Sequence, residues 1–510
     1  MEGPNDTRHD SGGHKWQALA TLCVTMFMAM LDNVIVNIAL PRIGRDLDAG
    51  ISGLQWVAEG YSLVYAALLL TGGSLGDRYG RTRMFRFGLA LFTAGSAAAA
   101  LADGIGLLVA ARMLQGVGAA LLTPGSLAIL RHVFTDDKER ARAIGLWSGV
   151  SALGLSIGPV IGGPMVDAFG WASVFWINVP VGLAGLLLAF RVLPAIAPRE
   201  RRIDLAGLAL SAAGLGALVY GLIEGPGRGW TSLPVLGCGA AAAVLLTVFV
   251  LVELRLAEPM LELRLFRDRV LAGALLSGLM VSFGMFGALF FLPLMLQGVM
   301  RWAPTDAGYA GLPMTAVIML AAPLSGRLTG RHGPRPPLVA GIALCAAGLG
   351  GLSLYSGHAH YWSYAWTLVL LGFGLGLTFT PVSIAVLQRV APAQTGMASA
   401  TVNTLRELGG VLGIAVLGAV LTDRLTTALT AALPAAAVPG AVAALTGHPS
   451  GPAGAPAPPA VDAAFVDALH LALRTGSLAL ALTAALVAAL LRRPARTEAP
   501  AQEPALAGTA

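Results

Sequence analysis

Long apolar runs separated by short basic breaks constrain this chain more than any other feature. A helix rises 1.5 Å per residue, so about 20 apolar residues cross the hydrocarbon of a bilayer. Such runs lie near 16–40, 54–76, 84–102, 105–127, 142–165, 173–193, 204–224, 233–254, 270–297, 308–328, 337–356, 363–387, 397–421 and 471–491. They predict an all-α integral membrane protein with about fourteen transmembrane helices. Composition agrees: 12% of residues are charged and 56% hydrophobic, against about 25% charged in soluble domains. The net charge of +6 does not signal nucleic acid. The Arg residues fall in breaks such as "RYGRTR", "TDDKERAR" and "RHGPRP", where membrane topology places them.

Those breaks also set an expected orientation. With the N-terminus inside, the cytoplasmic segments carry Arg78, Arg81, Arg83, Arg86, Lys138, Arg140, Arg142, Arg199, Arg201, Arg202, Arg264, Arg267, Arg269, Arg331, Arg335, Arg492 and Arg493. The outer segments carry Arg42, Arg45, Arg228, Arg301, Arg424 and Arg474. The bias puts both termini in the cytoplasm. Cys23, Cys238 and Cys345 lie inside apolar runs, so no disulfide framework is expected. The first apolar run is too long for a signal peptide core and is read as the first helix. The stretch 423–470, with "GHPSGPAGAPAPPA", has few large apolar residues and is read as a long outer loop without a packed core.

Two loops repeat. "GSLGDRYGRTR" begins at Gly73 and "GRLTGRHGPRP" at Gly326; Gly73, Leu75, Arg78 and Gly80 match Gly326, Leu328, Arg331 and Gly333, while Gly330 replaces Asp77. Two such loops suggest a duplicated helical bundle, as parallel repeats build in the major facilitator fold. The first loop resembles the motif after helix 2 of major facilitator transporters. "RMLQGVGAA" at 112–120, with Arg112, Gln115, Gly116 and Gly118, resembles their helix 4 motif, and "GLSIGPVIGG" at 154–163 their helix 5 antiporter motif. "LDNVIVNIALP" and "WINVPVG" are similar to motifs of the fourteen-helix drug:proton antiporters of the QacA/EmrB type. The likeness runs from about residue 16 to 492. It implies two six-helix bundles, 16–197 and 268–492, joined by two additional central helices within 203–256 and flanked by cytoplasmic tails at 1–15 and 493–510. One departure is Glu59, where the family carries a small polar residue.

Asp32 is the residue that calls for a reason. An ionised Asp at the bilayer centre costs about 2.5–3.5 kcal/mol on insertion scales. Counted from the first helix's cytoplasmic end, Asp32 lies about 24 Å in. Arg112 on helix 4 and Glu59 on helix 2 lie about 10 Å and 7–8 Å below the outer edge. Opposite charges at one depth lower the cost of insertion. A carboxyl held between burial, which raises its pKa, and an Arg, which lowers it, suits proton exchange. Asp32, Glu59 and Arg112 are the proton-coupling candidates, with a static ion pair as the alternative; the guanidinium, always protonated, tunes rather than carries. Gly73, Asp77, Arg78, Gly80 and Arg81 form a candidate conformational latch. Gly154, Gly158, Pro159, Gly162 and Gly163 form either a hinge or a close-packed membrane face. Gln115, Asn403 and Arg406 are candidates for lining a central cavity.

The expected function is a proton-driven efflux transporter for hydrophobic, cationic or amphipathic compounds such as antibiotics. The alternative is a dedicated exporter of one endogenous metabolite that gives self-resistance. A membrane enzyme fits poorly, since the His residues are scattered through loops and helix ends on both sides. No Walker-type phosphate loop is present, so ATP drive is not expected. A nutrient importer shares the fold, but the helix 5 motif favours antiport. The expected partners are a small-molecule substrate, protons and lipid, with no cofactor, no metal and a monomeric state.

Overall fold

The computed structural model describes residues 11–198, 204–256, 267–355, 360–390, 395–434 and 459–491. Arg199, Arg201, Arg202, Arg264, Arg492, Arg493 and the C-terminal tail lie outside them. The described chain is helical: α1 (Ser11–Asp46), α2 (Ile51–Tyr79), α3 (Arg81–Ala100), α4 (Ile105–Val133), α5 (Asp137–Phe169), α6 (Ser173–Trp176), α7 (Asn178–Val192), α8 (Leu205–Arg228) and α9 (Leu233–Glu253). There follow α10 (Arg269–Pro293), α11 (Pro304–Tyr309), α12 (Leu312–His332), α13 (Arg335–Leu352), α14 (Tyr361–Leu387), α15 (Thr395–Ala432) and α16 (Pro459–Leu490). α10 runs on as a π turn, Leu294–Val299, while α6 with α7 and α11 with α12 each make one span.

Twelve of these spans are long and apolar enough to cross a membrane. α2 and α3 fall short on composition: α2 contains Glu59, Asp77 and Arg78, and α3 is Ala-rich and carries Arg81, Arg83 and Arg86. Counting them gives about fourteen crossings. Large apolar side chains on the outer helices, such as Leu183, Leu187, Phe190, Leu233 and Val244, are exposed, as a lipid-facing surface requires.

The predicted loop over 423–470 is shorter than expected. α15 continues to Ala432 and α16 begins at Pro459; only 435–458 lies outside the described residues. Leu425, Leu429, Val461, Phe465 and Leu469 are buried, and Arg424 binds Asp467 at 2.8 Å. Their four-residue spacing gives each helix an apolar stripe, and Ala and Leu between them favour helix. The Pro/Gly-rich centre masked this in the sequence.

Both repeat loops turn on glycine. Gly80 has φ +96° and Gly333 φ +79°, a region that side chains with a Cβ avoid. They mark the basic end of the molecule. At the opposite, far end the two halves are sewn together. Gln55 of α2 donates to the Ile414 carbonyl of α15 (3.1 Å) and Gln297 to the Ile38 carbonyl of α1 (3.0 Å). Thr305 donates to Asp167 (2.9 Å) and Thr315 to the Ser156 carbonyl (3.0 Å), joining α11 and α12 to α5.

α8 and α9 form a hairpin, and α8 lies across the seam where α2 meets α15. Leu63 of α2, Val219 and Ile223 of α8, and Val411 and Ala415 of α15 close a small apolar core there. Glu224 of α8 accepts hydrogen bonds from Ser52 (3.1 Å), Trp56 (3.2 Å) and Arg228 (3.0 Å). Trp230 donates to Asp423 at 3.2 Å. Glu253 is buried, at 2% exposed, where the end of α9 packs beside Gly207 at the start of α8.

Candidate functional site

α1, α2, α3, α4 and α7 converge on Asp32. Arg112 of α4 forms an ion pair with it through Nη1 and Oδ2, and both side chains are fully buried. The other carboxylate oxygen accepts from Gln115 Nε2 (3.0 Å) and Asn178 Nδ2 (2.6 Å). Gln115 also donates to Ser96 Oγ (2.8 Å) and accepts from Arg112 Nη1 (3.0 Å). Arg112 Nε donates to the Val57 carbonyl (3.2 Å). Its guanidinium lies over the Tyr61 ring, 4.6 Å from the centroid, with Phe175 at 5.8 Å.

This arrangement answers the cost of an acid in a membrane helix. Burying a charge costs several kcal/mol even in a relaxed protein, and an ion pair offsets that only when the remaining lone pairs and protons are also satisfied. Here three donors, two on α4 and one on α7, serve one carboxylate on α1. The carboxylate thereby ties α1 to both α4 and α7.

The depth estimate for Asp32 and Arg112 therefore led to a real contact. It did not do so for Glu59. Val57 and Tyr61 turn toward Arg112, and Glu59, two residues from each, points about 200° away at 100° per residue. It is fully buried, and neither oxygen has a hydrogen-bond partner among the described residues. Gln115, expected in an open cavity, is fully buried inside the Asp32 cluster. Asn403 and Arg406 are half-buried, with Arg406 4.0 Å over the Phe379 ring.

Among the latch residues, Arg81 Nε donates to Asp77 at 2.8 Å, Arg78 lies over Tyr79, and Gly73 faces Pro124 of α4. The helix 5 glycines divide by face. A Cβ on Gly154 would sit 2.7 Å from the Phe27 carbonyl, and one on Gly162 2.6 Å from Ile35, with Gly158 also against α1. That face packs inside its own half. Gly163 and Pro159 instead meet Pro304 and Gly308 of α11, across the seam.

Sequence reasoning missed Asn178, Ser96, Tyr61 and Glu407. Asn178 was visible as the polar residue of "WINVPVG". Glu407 follows Arg406 in an apolar helix; it is half-buried and Asn33 of α1 faces it. An apolar crevice opens between the halves, walled by Val34 and Ile38 of α1, Leu155 of α5, Met285 and Leu289 of α10, and Met314 of α12. Asn37 gives it a polar point, with an unpartnered Oδ1 among the described residues.

Known proteins place this geometry. The chain is 40% identical to the multidrug resistance protein Stp of Mycobacterium tuberculosis over 79% of its own length and 76% of that protein's. It is 37% identical to the tetracenomycin C resistance and export protein of Streptomyces glaucescens over 81% and 77%, and 34% to the methylenomycin A resistance protein of Bacillus subtilis over 79% and 87%. Among solved structures, a bacterial homolog of the human lysosomal transporter Spinster, inward-facing and unoccupied, shares the fold: TM-score 0.67 at 17% identity, over 95% of this chain and 98% of that one. The model of the Major Facilitator Superfamily matches residues 22–414; this multi-pass membrane protein belongs to that superfamily.

Proposed function

We propose that the chain is a proton-driven efflux transporter that exports hydrophobic or amphipathic compounds, antibiotics among them, across the cytoplasmic membrane with both termini inside. The Asp32 cluster carries this reading. Asp32 is the protonatable group, Arg112 its fixed counter-charge, and Gln115 and Asn178 hold the carboxylate between α1, α4 and α7. When the cavity opens outward, Asp32 takes a proton from the acidic side; when it opens inward, the proton leaves and the ion pair re-forms. The crevice between the halves, mostly apolar with Asn37, Ser156 and Thr315 as its polar points, suits the hydrophobic part of a substrate. No step calls for a cofactor or bond-making chemistry.

The relatives named for tetracenomycin C and for methylenomycin A support a second reading, a dedicated exporter of one metabolite. A dye and antibiotic panel in a pump-deficient host separates the two: a broad exporter lowers accumulation of several unrelated compounds, a dedicated one of a single scaffold. The central test is export with and without a protonophore in cells holding normal ATP. We expect collapse of the proton gradient to abolish export; export that persists would overturn the antiport mechanism.

A further inference from the structure

Glu59 occupies a different place from the Asp32 cluster. Along α2, Ser52 and Trp56 bond to α8, and Gln55 bonds to α15. At 100° per residue Glu59 projects between those two directions, into the groove where α8 and α15 meet. One turn further on, Leu63 packs with Val219, Ile223, Val411 and Ala415. Glu59 is therefore sealed above an apolar plug, fully buried, with both oxygens unpartnered among the described residues.

The ionisable groups on the surrounding helices are committed elsewhere. On α8, Glu224 is bonded to Ser52, Trp56 and Arg228, and Tyr220 packs on Trp56. On α15, Arg406 lies over Phe379 and Glu407 faces Asn33, both nearer the basic end than Val411. On α2 itself Tyr61 turns to Arg112, and on α4 Arg112 serves Asp32, Gln115 and Val57. None of these groups bonds Glu59 in the described structure. An ionised carboxylate costs far more in such a seam than a neutral carboxyl does.

We infer that Glu59 is a second proton-binding site, which locks the far-end gate shut when protonated. It differs in kind from Asp32. Closing α2 and α8 onto α15 requires Glu59 to hold a proton, and that proton is acquired while the seam is open to the outer solution. Opening the seam admits water, the proton returns to the side it came from, and the charged form then resists closure. Glu59 thus senses outer acidity without carrying a proton across. The inference rests on the proposed outside orientation of the far end and on alternating opening of the two ends.

The test is a distance measurement across the gate. Gly50 at the start of α2 and Thr427 near the end of α15 are exposed. Spin labels at Gly50→Cys and Thr427→Cys, with the three native cysteines replaced by Ala, would report the seam in lipid nanodiscs. We expect a single short distance at pH 5.5 and a growing longer-distance population by pH 8.5. Glu59→Gln should keep the seam short at both pH values, with the open population at pH 8.5 reduced at least tenfold. Glu59→Leu, which suits the apolar plug, should do the same and guards against misfolding of one variant. Asp32→Asn should retain the response. A pH response that survives in the Glu59 variants, or a wild-type seam blind to pH, overturns the inference. The readout needs no substrate and no gradient, so a failure of proton-driven export would show separately in the protonophore test.

Discussion

In the proposed mechanism a proton on Asp32 loosens three donors together, Arg112, Gln115 and Asn178. Asp32→Asn keeps the size but cannot take a proton, and can still accept from Gln115 and Asn178 in the arrangement they now hold. We expect normal folded yield with uphill export reduced at least tenfold, read as drug-induced proton release in proteoliposomes per folded molecule. Lower yield with wild-type transport per molecule would make the pair purely structural. Arg112→Ala is harsher: in Asp32→Asn the guanidinium keeps the Val57 carbonyl, Gln115 and the Tyr61 ring, whereas Arg112→Ala leaves a buried carboxylate without its counter-charge, and breaking a buried pair in this way costs about 3–5 kcal/mol. It should therefore lower the thermal midpoint sharply, and Arg112→Ala combined with Asp32→Asn should recover part of that loss. Asp32 and Arg112 were legible in the sequence because depth follows from counting residues. Which way a side chain points around its helix does not follow from depth. That is why Glu59 was grouped with Arg112 by depth alone when its place on α2 turns it towards α8 and α15, and why Asn178 and Glu407 were passed over.

Helix ends show the same division between what the chain spells out and what packing decides. Asp268 caps α10, accepting from the amides of Val270 (2.8 Å) and Leu271 (3.1 Å), and pairs with Arg389, just past the end of α14, at 2.6 Å. Partial burial pushes its carboxyl up, but the amides and the Arg389 guanidinium outweigh that and hold it below the usual range. A depressed carboxylate stabilises above its unfolded pKa and loses that contribution as pH falls through the folded value. Asp268→Ala should thus cost about 0.5–2 kcal/mol near neutral pH. The difference from wild type should shrink in acid below about pH 4, measured as thermal midpoints across pH. Asp268→Asn, still a good cap, should lose less. At the start of α3, Asp77→Asn removes the partner of Arg81 while leaving every apolar span intact; transport should fall with membrane insertion unchanged. Transport at the wild-type rate would remove any latch role for Asp77. The glycine turns at Gly80 and Gly333 were legible as a repeated loop. The helix 5 glycines were legible as one small-residue face, yet only packing could reveal that this face serves α1 while Gly163, on another face, meets α11.

At the scale of the molecule, the two central helices are fastened unequally, and that inequality predicts how the far end opens. α8 is held to α2 by two side-chain hydrogen bonds onto the half-buried Glu224 carboxylate, from Ser52 and Trp56. Among the described residues it is held towards α15 by one exposed side-chain bond, from Trp230 in the turn after α8 to Asp423, and by apolar contacts with Val411 and Ala415. Hydrogen bonds to a charged group contribute about 1.5–3 kcal/mol each, and exposed charged contacts about 0–1 kcal/mol. Apolar contact is non-directional and tolerates sliding. When the seam parts, α8 should therefore travel with α2 and break from α15, which is also the separation that wets Glu59. Two engineered disulfides decide this. A cross-link between Trp230→Cys and Asp423→Cys should stop export, with recovery on reduction. A cross-link between Ser52→Cys and Glu224→Cys should leave most export in place, because those helices need not separate. If the second cross-link blocks export and the first does not, α8 moves with α15, and the hairpin belongs to the other half of the transporter during each cycle.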